Sequence, residues 1–297
     1  MKNRICTVVV TYNRLALLKD AIEALKVQTE PSDILVVNNG STDGTKEYLD
    51  GQTELLVIHQ ENLGGAGGFY AGMKYAAEKG YDFAWVMDDD VIPDVDALKS
   101  LKDAYDFLSV KEKVGFLCST VVNREGIPVN NPNVDLKRNK TGDVSWNKYL
   151  SEGVVGVSSA TFVSVFVPCS IIFEVGLPYK EFFIWGDDTE YTNRISARYS
   201  SYLVGRSVVM HLRNGGAIDL VTLKDKNRIR MYKYSIRNNL YNNKYYPAKE
   251  KIINYLWYFV IIGRLLRHAA FSKIFIVIKG IMEGLVFKPQ IQYPQKD

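Results

Sequence analysis

Phe83-Ala84-Trp85-Val86-Met87-Asp88-Asp89-Asp90 sets the frame for the whole chain. Five apolar residues in a row suit a strand buried on both faces, the kind found in a parallel sheet covered by helices. Its carboxylates then stand at the carboxyl edge of the sheet, where open α/β sheets bind ligands. Along an extended chain Asp88 and Asp90 point to one side and Asp89 to the other. Two converging carboxylates repel unless a cation joins them, and oxygen ligands suit Mg2+ or Mn2+. The competing reading is a solvated acidic turn that caps the following helix, with Asp94 at the N-cap.

Toward the N-terminus, Ile5 to Thr11 is another β-branched run. Leu15 to Val27 carries apolar residues at helical spacing, at Leu18, Ala21, Ile22 and Leu25. Ile34–Val37 reads as a strand, Thr45–Leu49 as a short helix, Leu55–His59 as a strand and Gly68–Lys79 as a helix. This alternation predicts an α/β fold, a mostly parallel sheet flanked by helices. Thr11-Tyr12-Asn13-Arg14 and Asn39-Gly40-Ser41-Thr42-Asp43-Gly44 form polar turns at the same sheet edge, offering hydrogen-bond partners to a base and ribose. In Asn62-Leu63-Gly64-Gly65-Ala66-Gly67-Gly68-Phe69, the glycines are expected to precede a helix and to let backbone approach a phosphate or sugar closely. Neither the Walker spacing nor the dinucleotide fingerprint is matched.

Toward the C-terminus the pattern predicts a helix at about Val95–Leu108, a strand at Val114–Val122 and polar loops over 123–147, where an acceptor would face the protein. Phe182-Phe183-Ile184-Trp185-Gly186-Asp187-Asp188-Thr189-Glu190-Tyr191 then places an acidic cluster at a helix start. Helix capping accounts for one such carboxylate. A whole cluster behind aromatics is more than a cap needs, and apolar walls tune a carboxylate to act as a general base. His211 follows the β-branched run Leu203–Met210 and precedes a glycine turn at Gly215-Gly216, so it too stands at a strand end. Beside carboxylates seeking a cation it reads as a metal ligand, whereas His59 and His268 read as structural.

The 297 residues, 47% apolar and 24% charged, describe a globular chain with length for one large or two modest domains. A net charge of +4 gives no reason to expect nucleic acid as a partner. Cys6, Cys118 and Cys169 are odd in number and far apart, which excludes a disulfide framework or a zinc spacing and fits a reducing cytoplasm. The first residues lack the apolar stretch of a secretory signal, so no export is expected.

From Lys249 to Phe287 apolar runs such as Tyr255–Ile262 alternate with Arg264, Arg267, Lys273 and Lys279. None approaches the ~20 uncharged residues that span a bilayer. An amphipathic helix lying in a membrane interface fits this pattern, and so does a helical subdomain that packs on the core or forms a homo-oligomer contact. Arg228 to Asn238 offers Arg and Tyr to a diphosphate.

Together these segments closely resemble the inverting GT-A-fold glycosyltransferases of family 2, within the galactofuranosyltransferase and rhamnosyltransferase-like branch, over roughly Ile5 to Gly215. Val9–Arg14, Asn38–Thr45, Asn62–Phe69, Met87–Asp90, Trp185–Tyr191 and His211 carry the resemblance in matching order. It implies a GT-A (Rossmann-like) fold with a C-terminal helical extension. Thr11 and Asn39 would contact the nucleotide, with Tyr12, Asn13, Arg14, Gly64, Gly65, Gly67 and Asp89 around the donor. Asp88, Asp90 and His211 would hold Mn2+ or Mg2+. Asp188 would be the base, with Asp187 beside it as the alternative, and Asp187, Trp185 and Glu190 would shape the acceptor and sugar pocket. Two departures are Asn38-Asn39 where the family usually has aspartate, and Gly186 after the tryptophan.

The donor expected from this resemblance is UDP-galactofuranose, with dTDP-rhamnose as the near alternative, and the acceptor a hydroxyl of a polysaccharide or polyprenyl-linked glycan. A non-catalytic nucleotide-sugar-binding module is the rival from another class. The expected division is a catalytic domain over 1–225, with nucleotide binding in about 1–122 and acceptor and catalytic functions in about 123–225, then a basic aromatic helical region over 226–297. Such an enzyme would work in the cytoplasm, with peripheral contact at the inner face of the membrane through 249–287.

Overall fold

The computed structural model describes residues 3–213 and 219–295. The glycine turn expected after His211 lies outside the described residues. The chain runs β1 (Ile5–Thr11), α1 (Leu15–Lys26), β2 (Asp33–Asn38), α2 (Thr45–Asp50), β3 (Leu56–His59), α3 (Gly64–Glu78), β4 (Phe83–Asp88), β5 (Val91–Pro93) and α4 (Ala97–Ser109). It continues through β6 (Val114–Val122), β7 (Asn133–Val134), β8 (Val154–Ser159), β9 (Val165–Pro168), α5 (Cys169–Val175), α6 (Asp187–Ser196) and β10 (Ser200–His211). Three helices close it, α7 (Lys226–Asn242), α8 (Ala248–Arg267) and α9 (Phe271–Val286).

One central sheet has the order β3-β2-β1-β4-β9-β6-β10-β8-β7, with β5 paired to β10. Strands β3, β2, β1 and β4 are mutually parallel, and β10 runs parallel to β6. Strand β9 is antiparallel to both β4 and β6, so it keeps those two pointing the same way. Every residue of β1 is buried. Alternation sends Ile5 and Val9 to one face, with Leu18, Ile22 and Leu25 of α1 and Leu98 and Leu101 of α4. Cys6, Val8 and Val10 go to the other, with Phe69 and Met73 of α3 and Tyr191 and Ile195 of α6. The fold is therefore α/β in three layers, as the strand and helix pattern predicts.

The glycine run is the main revision to the local reading. Helix α3 starts at Gly64, not Gly68, so the glycines form its first turns. A Cβ at Gly68 would lie 2.3 Å from Val10 Cγ1, and one at Gly72 2.2 Å from Val8 Cγ1. Close approach of helix to sheet, worth more than the propensity lost, keeps these positions glycine. The N-cap position of α4 is Asp96 rather than Asp94, and its side chain makes no capping bond.

Helices α7 to α9 share a small core of their own around Leu220, Ile236, Leu240, Tyr258, Ile261, Leu265 and Val277. Ala66, Tyr179 and Phe182, with Tyr241 and Phe287 against them, join that bundle to the sheet domain. Among the described residues no helix is long and apolar enough to cross a membrane.

Candidate active site

The register of the sheet builds the first half of the site. Strand β4 ends at Asp88, the chain turns through Asp89 and Asp90, and β5 pairs antiparallel with the end of β10 so that His211 lies opposite Val91. Leu212 N–H donates to Asp90 O at 2.8 Å, which fixes this corner. Asp88, Asp90 and His211 consequently offer one ligand atom each, all within 4.8 Å of one another.

The chemistry and closeness of this group fit a cation. His211 Nδ1 lies 2.9 Å from Asn130 Oδ1. Its Nε2 lies 3.2 Å from Asp90 Oδ1. That oxygen is buried and has no hydrogen-bond partner. Two carboxylates and an imidazole converging on one corner form a donor set that suits Mn2+ or Mg2+. Burial, followed by repulsion from Asp90 and Asp89, pushes the Asp88 carboxyl well above the usual range.

Asp89 lies in the turn rather than on the strand, and its carboxylate faces the end of β1. It accepts from Thr11 Oγ1 at 2.7 Å and from Arg14 Nη1 at 3.1 Å, and Arg14 Nη1 also reaches Asp90 Oδ2 at 2.9 Å. Burial outweighs these partners and raises Asp89 to about 6.

The second half of the site is the start of α6. Phe183 and Trp185 both hold φ of +63°, and Gly186 follows at +84°. Such torsions are costly for aromatic residues and persist only where surroundings impose them. Helix α7 imposes them, because Asn238 Nδ2 reaches the carbonyls of Phe182, Ile184 and Trp185 while Asn242 Nδ2 donates to Gly186 O. Asp187 and Asp188 then begin α6 facing the cavity. Burial, with repulsion from Asp188, raises Asp187. Asp188 is raised by burial as well, against hydrogen bonds from Thr189 and the Phe162 backbone.

Two cavities adjoin at Asp88. The smaller, about 340 Å3, brings Asp88, Asp90 and His211 together with Trp185, Asp187 and Asp188, and Asn130, Phe162 and Arg213 complete its wall. The larger, about 460 Å3, is bounded by Thr11, Tyr12, Asn39, Gly64 and Asp89 on the sheet side and by Asn227, Arg228 and Met231 of α7. Arg14, Gly65, Asp88 and Ile184 border both. Each cavity is of small-ligand size.

Other expected residues have different placements. Glu190 is fully buried away from both cavities, one oxygen paired with Arg194 and the other with Lys244 and Tyr245. Helical spacing turns Glu190 toward Arg194, one turn on. Asn13 instead clamps the neighbouring turn, accepting from Thr42 N–H at 2.6 Å. Gly67 faces Leu63 rather than either cavity. Asn39 borders the larger cavity but spends its amide inward, on Gly64 O, Gln60 and Leu63 N–H. Asn38 and His59 bond each other, and His59 also meets Asp50, a structural arrangement. Asn130 and Arg213 were not singled out in the sequence; a lone Asn in an Asn/Pro loop gives no periodic signal, although its φ of +49° fits a residue tolerant of the left-handed region.

Comparison with known proteins agrees with this geometry. The model of "Glycosyl transferase family 2" matches residues 6–161. Galactofuranosyltransferase GlfT1 of Mycolicibacterium smegmatis is 30% identical over 198 residues, covering 64% of this chain and 65% of that protein. GlfT1 of Mycobacterium tuberculosis is 29% identical over 202 residues, 66% of this chain and 65% of that protein. The chain thus spans about 65% of the length of these curated relatives. Undecaprenyl-phosphate mannosyltransferase of Micrococcus luteus is 35% identical over 92 residues, 29% of this chain and 38% of that protein. Among solved structures, GalNAc-T7 with UDP, GalNAc and Mn2+ superposes with a TM-score of 0.57 at 14% identity, over 84% of this chain and 53% of that one, a likeness of fold. The fold is thus similar to that of a GT-A glycosyltransferase. Because the matched family region covers more than half of the chain and includes the strand-end carboxylates Asp88 and Asp90, the chain belongs to glycosyl transferase family 2.

Proposed function

We propose that this family 2 glycosyltransferase is metal-dependent and inverting, and that it transfers galactofuranose from UDP-galactofuranose to a hydroxyl of a polysaccharide or lipid-linked glycan. One observation carries the reading: a potential ligand set of two carboxylates and an imidazole shares a cavity with a second pair of carboxylates, the buried Asp187 and the half-buried Asp188. A binding module has use for the first group only; transfer to a hydroxyl needs both. The similarity to GlfT1 supports the galactofuranose donor.

In this reading Asp88, Asp90 and His211 would hold Mn2+ or Mg2+, which when bound would supply positive charge to the departing diphosphate. The nucleotide occupies the larger cavity against Thr11, Tyr12 and Asn39, and Arg228 faces the diphosphate from α7. Arg14, bordering both cavities, is placed for the phosphates. Asp188 takes the acceptor's proton as the hydroxyl attacks the anomeric carbon from the side opposite the diphosphate, giving inversion in one displacement. Its raised affinity for protons suits that role. Residues 1–225 carry the transfer and 226–297 the helical region, whose α7 closes the donor cavity. The acceptor is met at the cytoplasmic face of a membrane.

Thermal unfolding with Mn2+ and UDP, dTDP or GDP tests the donor. Stabilisation by UDP, with transfer from UDP-galactofuranose, supports the proposal; stabilisation by dTDP alone moves the donor to dTDP-rhamnose. Retained configuration at the anomeric carbon of the product would overturn the single displacement.

A further inference from the structure

The packing of the last two helices leaves much apolar surface without a partner. Helix α8 buries only Tyr258, Ile261 and Leu265, while Ile252, Ile253, Leu256, Trp257, Phe259 and Val260 are exposed, Phe259 by 71%. Helix α9 packs tightly on α7 through small residues: a Cβ at Gly280 would lie 2.8 Å from Ile236 Cβ, and one at Gly284 2.7 Å from Leu240 Cδ1. Its other side exposes Phe271, Phe275, Ile278, Met282 and Leu285, spaced four, three, four and three apart, a continuous stripe. A helix apolar on faces its own fold does not cover needs a further apolar neighbour.

The charges identify that neighbour. Between Ala248 and Lys288 there are seven Lys or Arg against two Glu. Arg264 is engaged by Asp219, and Lys273 by the carbonyls of Leu220, Val221 and Leu223. Among the described residues, Lys249, Lys251, Arg267 and Lys288 are not used in this way. Lys249, Ile252, Leu256, Phe259, Gly263 and Arg267 follow one another at three- and four-residue steps, so the exposed apolar row of α8 is bracketed by cations on the same side. Two copies of this chain joined by a two-fold axis would set one basic patch against another. An anionic lipid surface matches both features, with apolar side chains in the acyl boundary, Tyr255 and Trp257 at headgroup level and cations at the phosphates.

We propose that α8 and α9 form a peripheral seat for an anionic bilayer, lying in its plane. Because α9 packs along α7, and Asn227, Arg228 and Met231 of α7 border the larger cavity, the seat is one helix removed from the site. It does not depend on the transfer chemistry, so its failure would leave the glycosyltransferase reading standing.

Flotation of the full chain with vesicles tests the seat. At about 0.1 M salt the protein rises with vesicles containing about 30% phosphatidylglycerol and stays down with pure phosphatidylcholine, and added salt weakens binding. Phe259→Ser with Phe275→Ser lowers the partition coefficient at least about tenfold, the loss expected from two apolar contacts. Lys249→Glu with Arg267→Glu lowers it by at least about fivefold per charge removed. Both pairs are exposed, so melting temperature and UDP binding stay at wild-type values. A wild type that never floats, or variants that float as well as it does, would overturn the proposal. A wild-type dimer dissociated by Phe259→Ser would overturn it too, by giving the face to a second copy.

Discussion

The side-chain nitrogen of Asn238 lies 2.7 Å from the carbonyl oxygen of Trp185, across 53 residues of sequence, and the same nitrogen is 3.0 Å from Ile184 O and 2.9 Å from Phe182 O. One buried amide thus gathers the carbonyls of the segment that leads into Asp187 and Asp188. The left-handed torsions of Phe183 and Trp185 are held from outside the sheet domain, by a helix of the C-terminal bundle.

Replacing Asn238 by Asp sets a carboxylate against three carbonyl oxygens. The segment should relax and the carboxylates move off line, because positioning errors of an ångström are costly to a displacement. The expected result is a kcat lowered at least about tenfold with donor Kd changed by less than about threefold. Calorimetry of UDP-sugar binding beside steady-state kinetics separates the two, and an equal loss in both would mean that the segment binds donor instead.

Asp188 as base gives a sharper expectation. Asp188→Asn keeps the shape and removes the proton acceptor, so turnover should fall by at least about a thousandfold while Mn2+-dependent donor binding persists. The pH profile has a definite sign. Burial raises the Asp188 carboxyl, and the ionised form is the active one, so kcat is full above the raised value and falls as pH drops through it. The acid limb should therefore lie above the usual carboxylate range of about 4. A flat profile down to pH 4 would remove Asp188 from this role.

For the cation, Asp90→Asn and His211→Ala each remove one ligand from a group that lies within 4.8 Å. Each should weaken Mn2+-dependent UDP binding by about 10- to 100-fold, and chelator should abolish the UDP-induced rise in melting temperature of the wild type. UDP binding that ignores chelator would show that Arg14, already on Asp89 and Asp90, serves as the positive charge by itself.

The sheet and its metal corner were legible for a simple reason. Strands buried on both faces, β1 and β4, write their burial as continuous apolar runs that end on the carboxylates, whereas the separation of Asp88 and Asp90 from Asp89 is made by the turn after Asp88 and not by strand alternation. His211 could be placed at a strand end, but only the antiparallel pairing of β5 with β10 brings it to Asp90, and that register involves three residues that no pattern singles out. Glu190 illustrates the opposite failure. The family resemblance implies a place in the pocket for it, whereas helical spacing pairs it with Arg194 one turn on, and its further partners Lys244 and Tyr245 are set by tertiary packing that spacing does not encode.

The glycine run allows one last separation, between residues kept small by packing and residues kept small by a ligand. At Gly72 a methyl group would meet Val8 Cγ1 at 2.2 Å, whereas at Gly65 nothing lies within 4 Å. Alanine gains up to about 1 kcal/mol of helix propensity at either position. At Gly72 that gain is outweighed by overpacking of about 1–3 kcal/mol, so Gly72→Ala should lower the melting temperature by a few degrees. Gly65→Ala should hold or raise it. Gly65 borders both cavities, however, and a methyl group there intrudes on the space proposed for the donor. Gly65→Ala should therefore be as stable as wild type yet bind UDP-sugar several-fold more weakly, as measured by calorimetry on the folded variant. Unchanged affinity would mean that the donor passes clear of the first turn of α3, and that these glycines serve packing alone.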